Sequence, residues 1–252
     1  MFIYYNRKND TYKVIPKRVA ASSQLSTEWL LRSLLMARKW SRGVLLDIGC
    51  GDKPYRDLFE ARRYIGGDWP DSPHASEGID VFMDASILPF KSSSFHTVIF
   101  TEVLEHLADP HRALREISRV MKSDGKVILS VPFVHWIHES PHDYYRYTEY
   151  GLKRVLEENG LEVIEQHNRG GALTVALDIS GRAVSMLLSQ VLKKLGVSRA
   201  LIQMTQRVMV AWPQLLYAKA FFILYHWLPR LAGFLDPSVR LTLGYVIVAR
   251  RR

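Results

Sequence analysis

Cysteine is almost missing from this chain: of 252 residues only Cys50 carries a thiol. A single thiol excludes an internal disulfide, so the expected setting is a reducing compartment, the cytoplasm. The opening residues "MFIYYNRKNDTYKV" lack the basic, apolar and small-residue succession of a secretory signal. They allow a short hairpin around "NRKND" and nothing functional. No internal repeat is present, and "KSSS" at 91–94 is the only low-complexity tract. Unbroken apolar runs are scarce too. The longest, "VMVAWPQLLYAKAFFILYHWLPRL" (208–231), is interrupted by Pro213 and Lys219. Neither half reaches the roughly 20 apolar residues that a bilayer crossing needs. What remains is a chain long enough to bury one substantial core with an elaboration.

Within that core, "VLLDIGCGDKPY" (44–55) runs from apolar residues into an acid, two glycines and a second acid. Val44–Ile48 reads as a buried strand of a parallel sheet. Gly49 and Gly51 strip side chains from the turn, which lets a ligand approach the backbone. Pro54 suits the first turn of a following helix. A pyrophosphate would want positive potential at this point, whereas Asp47 and Asp52 flank the loop and attract a cation. The third glycine of the dinucleotide fingerprint is also absent. A tight ligand-free turn is the plain structural alternative. Asp68 ends a second strand 21 residues beyond Asp47, where an acid can accept hydrogen bonds from ribose hydroxyls. A third segment, "DVFMDASILPF" (80–90), and a fourth, "FHTVIFTEVLEHLADP" (95–110), follow in order.

These four segments resemble the motifs of class I S-adenosylmethionine-dependent methyltransferases, V-L-E-H-L-x-D-P most specifically. The resemblance implies S-adenosylmethionine as cofactor, held around Asp47, Gly49, Cys50, Gly51 and Asp68. It further implies that Asp84 meets the adenine amino group and the Ala85 backbone the ring edge, with Thr101, Glu102 and His106 on the same side. Asp84 could instead simply cap its own turn.

The stretch "PFVHWIHESPHDYYRYTEYGL" (132–152) leaves the fifth strand where open α/β sheets place their ligand crevice. It gathers His135, His138, His142, Glu139, Asp143, Arg146 and several tyrosines. His138, Glu139, Pro141, Asp143, Tyr144, Arg146, Tyr147 and Thr148 resemble the H-E-x-P-x-D-Y-x-R-(F/Y)-T segment of a bacterial methyltransferase subgroup often encoded among surface-polysaccharide genes. Methyl transfer from a sulfonium is an in-line displacement, so catalysis is mostly alignment. A hydroxyl acceptor also profits from a base. His138 or His142 could serve, with Asp143 or Glu139 fixing the tautomer and Arg146 holding an anionic part of the acceptor. An ordinary Asp143–Arg146 ion pair is the alternative. A metal held by His138, Glu139 and His142 is not expected, because the spacing misses the i, i+4 helical pair and Pro141 breaks the helix.

The periods predict a helix over 22–41 and strands at 44–48, 62–68, 79–83, 96–101 and 126–132. A second helix runs from Pro110 to Lys122 with Leu114, Ile117 and Met121 inward, closed by an Asp124–Gly125 turn. Thr148 caps a third helix that ends at Asn159 and Gly160. Residues 161–167 and 241–252 supply two more strands, which in the family pair as an antiparallel edge hairpin. The expected fold is therefore a doubly wound, mostly parallel, seven-stranded Rossmann-like methyltransferase sheet with a helical insert before the final strand. The domain reading is an N-terminal hairpin and helix (1–42), a methyltransferase core (43–170), an insert (171–235) and the closing strand (236–252).

The insert has Leu177, Val184, Leu188, Val191 and Leu195 on one helical face, with Asp178, Arg182, Ser185, Ser189 and Lys193 opposite. It carries seven cations against one anion, Asp178, and so holds +6 of the chain's +9. Basic, aromatic and apolar character together suggest an anionic membrane surface. A pocket cover or a dimer interface would explain the helices as well. Cations scattered among leucines make nucleic acid an unexpected partner. Three functions follow. One is O-methylation of a glycan or lipid-linked sugar precursor at the cytoplasmic membrane face. A second is methylation of a hydrophobic quinone-like or lipid acceptor. The third is a non-catalytic scaffold, disfavoured by the intact acids Asp47, Asp68 and Asp84. Oligomeric state is not legible in the sequence.

Overall fold

The computed structural model describes residues 2–6, 11–15, 24–74, 78–211, 213–214, 216–217, 220 and 241–252. Two strands, β1 (Phe2–Asn6) and β2 (Thr11–Ile15), pair antiparallel from Phe2↔Ile15 to Asn6↔Thr11. Most of the apolar stretch 208–231 lies outside the described residues.

The main sheet follows the expected alternation. Its strands are β3 (Val44–Ile48), β4 (Arg63–Asp68), β5 (Val81–Phe82), β6 (Phe95–Thr101), β7 (Met121–Pro132), β8 (Leu161–Asn168) and β9 (Gly244–Arg251). They lie in the order β5-β4-β3-β6-β7-β9-β8. Strands β5, β4, β3, β6 and β7 are parallel, and β9 enters antiparallel to β7. Beyond it, Arg252 N–H bonds the Gly160 carbonyl and Arg250 pairs with Glu162. The two rungs advance in opposite senses, as antiparallel strands require. Leu45, Leu46, Val98, Ile99, Val127 and Leu129 in the central strands are fully buried, which explains their unbroken apolar runs.

Helix α1 (Gln24–Ala37) buries Leu30, Leu31 and Leu34. Helix α2 (Pro110–Val120) begins at Asp109, whose carboxylate accepts the Arg112 N–H at 3.0 Å, with proline in the first turn. It turns Ala113, Leu114, Ile117 and Val120 inward. Each fully buried Leu or Ile contributes roughly 1.5–3 kcal/mol relative to exposure. Helix α3 (Glu149–Glu158) starts at Thr148, whose hydroxyl accepts the Gly151 N–H, and stops at Asn159.

Three local expectations are corrected. Met121 is buried, but as the first residue of β7. Asp124 and Gly125 do not close a helix. They lie in an irregularity of β7, where Phe95↔Met121 and Thr97↔Lys126 are successive pairings. The third parallel strand shrinks from 79–83 to two residues.

The chain divides into two compact units, residues 1–15, 33–167 and 244–252 in one and 16–32 with 168–243 in the other. The break falls inside α1. Within the second unit the buried Arg169, 2% exposed, donates to the Ser26 hydroxyl at 2.8 Å. That unit also contains α4 (Ala172–Lys194) and α5 (Arg199–Gln206). Helix α4 faces the opposite way to an ordinary surface helix. Thr174, Asp178, Arg182 and Ser185 are buried, while Val184, Leu187, Val191 and Leu195 are exposed, Leu187 by 61%. Asp178 and Arg182 pair side chain to side chain, and Gln206 reaches the Ser185 carbonyl. Among the described residues, α4 alone has the length and apolar composition of a membrane-crossing helix.

Candidate functional site

Strand β3 ends at a glycine turn fastened to β4. The Gly67 carbonyl accepts the N–H groups of both Gly49 and Cys50, at 2.9 and 3.1 Å. Gly51 N–H donates to Asp68 Oδ2 at 2.7 Å, and Trp69 N–H to Asp68 Oδ1 at 2.7 Å. Gly49 stands at φ +72°, and a Cβ there would lie 2.3 Å from the Val103 side chain. Only glycine fits.

Asp47 is 2% exposed. The Tyr64 hydroxyl donates to its Oδ2, while Oδ1 is enclosed with no hydrogen-bond partner. Burial, aided by the Asp68 charge and opposed by Tyr64 and Lys53, lifts its pKa to about 7. A cationic ligand in the loop would supply the missing partner, so this carboxylate fits the ammonium-bearing sulfonium cofactor expected from the sequence. Burial and the same two acids push the Cys50 thiol up to about 12, which keeps it protonated and unreactive.

The sequence reading missed Asp80, which accepts Lys53 Nζ and the Gly66 N–H, both at 2.7 Å, and so binds the loop to β4. No spacing rule would have singled it out. Asp84 is exposed and accepts the Ser86 N–H at 2.7 Å, the turn-capping role foreseen as its alternative. Ala85 is buried behind it. At the end of β6, Thr101 is buried and Glu102 sits at φ +53°. Glu102 N–H bonds the Ser130 carbonyl, and the Ser130 hydroxyl donates to Glu102 Oε1 at 2.8 Å.

The single 3₁₀ turn Leu104–His106 follows. There the Glu105 carbonyl accepts the N–H groups of Tyr144 and Tyr145, tying the histidine-rich loop to the strand end. His106 Nδ1 lies 2.6 Å from the His142 carbonyl, so this residue, expected beside the cofactor, is anchored to that loop. The loop is organised around Asp143, whose side chain is 2% exposed. Arg146 grips it bidentately at 2.6 and 2.7 Å and also donates to the Trp136 and Tyr145 carbonyls. Despite burial, Arg146 and the His138 N–H hold the Asp143 carboxyl well below its usual range. The guanidinium's donors are thereby committed within the loop. The expectation that Arg146 grips an acceptor anion gives way to the ion-pair alternative.

His138 Nδ1 lies 3.2 Å from Asp143 Oδ2, and burial together with His106 lowers its pKa. The His138 ring sits 4.6 Å, centroid to centroid, from both His106 and His135. His142 is exposed. Its ring meets Trp69 edge-on at 5.9 Å, and its Nδ1 lies 3.1 Å from the Tyr144 hydroxyl. Glu139 Oε1 contacts His74 Nε2 at 2.9 Å, which raises the histidine pKa and lowers the acid's. The structure therefore joins His106 and His138 in one cluster and puts His142 beside the residue that follows Asp68.

Residues 23–166 match a family described as a methyltransferase domain. Among solved structures, the crystal structure of the cyclase SpnF aligns with a TM-score of 0.54 at 18% identity, covering 93% of this chain and 84% of that one. A protein from Galdieria sulphuraria, described as a candidate sarcosine dimethylglycine methyltransferase, aligns at 0.50 and 15% identity over 98% of this chain and 91% of that one. At such identities the likeness is one of fold.

Proposed function

This chain belongs to the methyltransferase domain family, and from that premise we propose that it methylates a hydroxyl of a glycan or lipid-linked sugar precursor at the inner face of a membrane. It is an S-adenosylmethionine-dependent methyltransferase. When bound, S-adenosylmethionine supplies the electrophilic methyl group. Asp47, whose Oδ1 lacks a hydrogen-bond partner, would hold the cationic end, and Asp68, aligned by Gly51 and Trp69, would accept from the ribose. The glycine turn, Asp84, Ala85, Thr101 and Glu102 complete the cofactor wall. His142, exposed and set against Trp69, is the proton acceptor for the attacking hydroxyl. Asp143 and Arg146 hold the loop that presents it.

The observation that carries the membrane part is the outward apolar face of α4. Exposed Leu187, Val191 and Leu195 beside Lys193 and Lys194 make a surface for apolar tails and anionic headgroups. Each cation near such a surface contributes about 1 kcal/mol, screened beyond roughly 10 Å at 0.1 M salt. Flotation should therefore require anionic vesicles, weaken with added salt and be lost in Leu187→Ser/Val191→Ser. A protein that stays in the soluble fraction throughout leaves the pocket cover or dimer face.

The glycan part leans on the resemblance of residues 138–148. It is tested by incubating the protein with methyl-labelled cofactor and fractionated cell-envelope precursors. Label in a lipid-linked sugar supports it. Label in an apolar acceptor without a sugar supports the quinone-like reading, and no labelling of any fraction overturns both. His142→Ala should lower turnover by about 10²–10⁴ with cofactor affinity intact.

A further inference from the structure

We infer that Glu105, His106 and His138 form a site for a divalent transition-metal ion, zinc by donor type. One donor atom from each residue lies within 4.8 Å of the others. The linear sequence concealed this set: Glu105 and His106 precede the histidine-rich loop by some thirty residues. They meet it where the Tyr144 and Tyr145 N–H groups dock on the Glu105 carbonyl and His106 Nδ1 reaches the His142 carbonyl. The set discounted on spacing, His138 with Glu139 and His142, is a different one.

Hydrogen bonding fixes the tautomer of both rings. His106 Nδ1 lies 2.6 Å from the His142 carbonyl oxygen, which can only accept, so Nδ1 carries the proton and Nε2 presents its lone pair. That Nε2 is 3.8 Å from Glu105 Oε1 and 3.9 Å from Glu139 Oε2. His138 Nδ1 faces Asp143 Oδ2 at 3.2 Å, an oxygen that also accepts from the His138 N–H and Arg146 Nη2, so this ring too donates from Nδ1. Arg146 Nη2 lies farther from the same nitrogen, at 3.4 Å, and has the Trp136 carbonyl and Asp143 to donate to. Metal-binding histidines are commonly oriented in this way, with the second ring N–H held by a carbonyl or carboxylate.

Glu105 is fully buried, with its Oε1 3.8 Å from His106 Nε2, so its carboxylate stands among the imidazole donors. Imidazole with carboxylate suits zinc and its neighbours, and three protein ligands leave a coordination position open. On the acceptor proposed above, that position would receive the hydroxyl oxygen and ease loss of its proton to His142. This last role rests on the proposed function, but the binding itself does not.

The test is a Co²⁺ titration of tag-free, chelator-treated protein, followed by visible d–d absorption. One saturable equivalent, displaced by Zn²⁺, is expected. His138→Ala and Glu105→Gln should each weaken Co²⁺ binding by more than about 100-fold, and Asp143→Asn by about 10–100-fold. Circular dichroism and cofactor affinity report whether each variant is folded. If the buried Glu105→Gln fails to fold, the partly exposed His138→Ala decides. Absence of a one-equivalent band in wild type, or an unchanged band in folded His138→Ala, overturns the site. Because no methyl transfer is read, its failure is distinct from failure of the acceptor proposal.

Discussion

Asp47 in the glycine turn and Asp143 in the histidine-rich loop are both enclosed carboxylates, each side chain nearly without solvent contact. Their titration runs in opposite directions. Asp47 has a tyrosine hydroxyl on one oxygen and nothing on the other, and burial lifts it to about 7. Asp143 has a bidentate guanidinium and a backbone N–H, and they hold it far below its ordinary range. Burial alone therefore does not identify a functional acid. Asp143 is satisfied within the protein and shapes a loop, whereas Asp47 keeps one oxygen without a hydrogen-bond partner, as the proposed cation-holding acid requires.

Removing the satisfaction of Asp143 should give the largest effect. Arg146→Met strands a buried charge and should cost about 2–4 kcal/mol in denaturant unfolding, below the fully buried range because the guanidinium is partly exposed. The Asp143→Asn/Arg146→Met pair should be less damaging than Arg146→Met alone. Equal stability of Arg146→Met and wild type would erase the contrast.

Next comes Asp68→Ala, which should weaken S-adenosylmethionine binding by roughly 1.5–3 kcal/mol in calorimetry. It also frees the Gly51 and Trp69 N–H groups, so part of the loss reflects a loosened turn. Unchanged affinity in a folded variant would remove Asp68 from the cofactor wall.

The smallest effect is the most diagnostic. A cation bound to Asp47 favours the ionised carboxylate, so binding releases a proton below pH 7. Affinity should then fall by about tenfold per pH unit as pH drops below 7, and Asp47→Asn should flatten the profile. Without cofactor the sign reverses. A folded pKa raised from 3.8 to about 7 makes Asp47 a growing cost as pH climbs between those values. Asp143, with its depressed pKa, adds stability above its unfolded value and loses it as pH falls through the folded one. Opposite slopes in Asp47→Asn and Asp143→Asn melts would separate the two acids.

How much of this was legible depended on how locally each feature is encoded. Strands β3, β4, β6 and β8, the Asp109 and Thr148 caps and the glycine turn follow from neighbours a few residues apart. Amphipathic period located the faces of both α2 and α4, but only α2 turns its leucines inward. A period reveals that a helix has two faces; which one is buried depends on what packs there, in α4 the polar stripe of Asp178, Arg182 and Ser185. The hold of Arg169 on Ser26, the Asp80 tether and the Glu105–His106–His138 cluster join residues far apart in sequence, and no window of neighbours contains them.

The position of β9 between β7 and β8 has a consequence for biosynthesis. Strand β7 leaves the ribosome with its β9-facing edge unpaired, and β8 has no place in the sheet until residues 244–251 are made. Residues 169–243 are synthesised in between, and at about 5–20 residues per second this delay is on the order of 4–15 s. Throughout it the nascent sheet presents open backbone along β7, the kind of edge that recruits other strands. Ribosome-bound chains stalled before residue 244 should therefore engage chaperones that release once β9 is added.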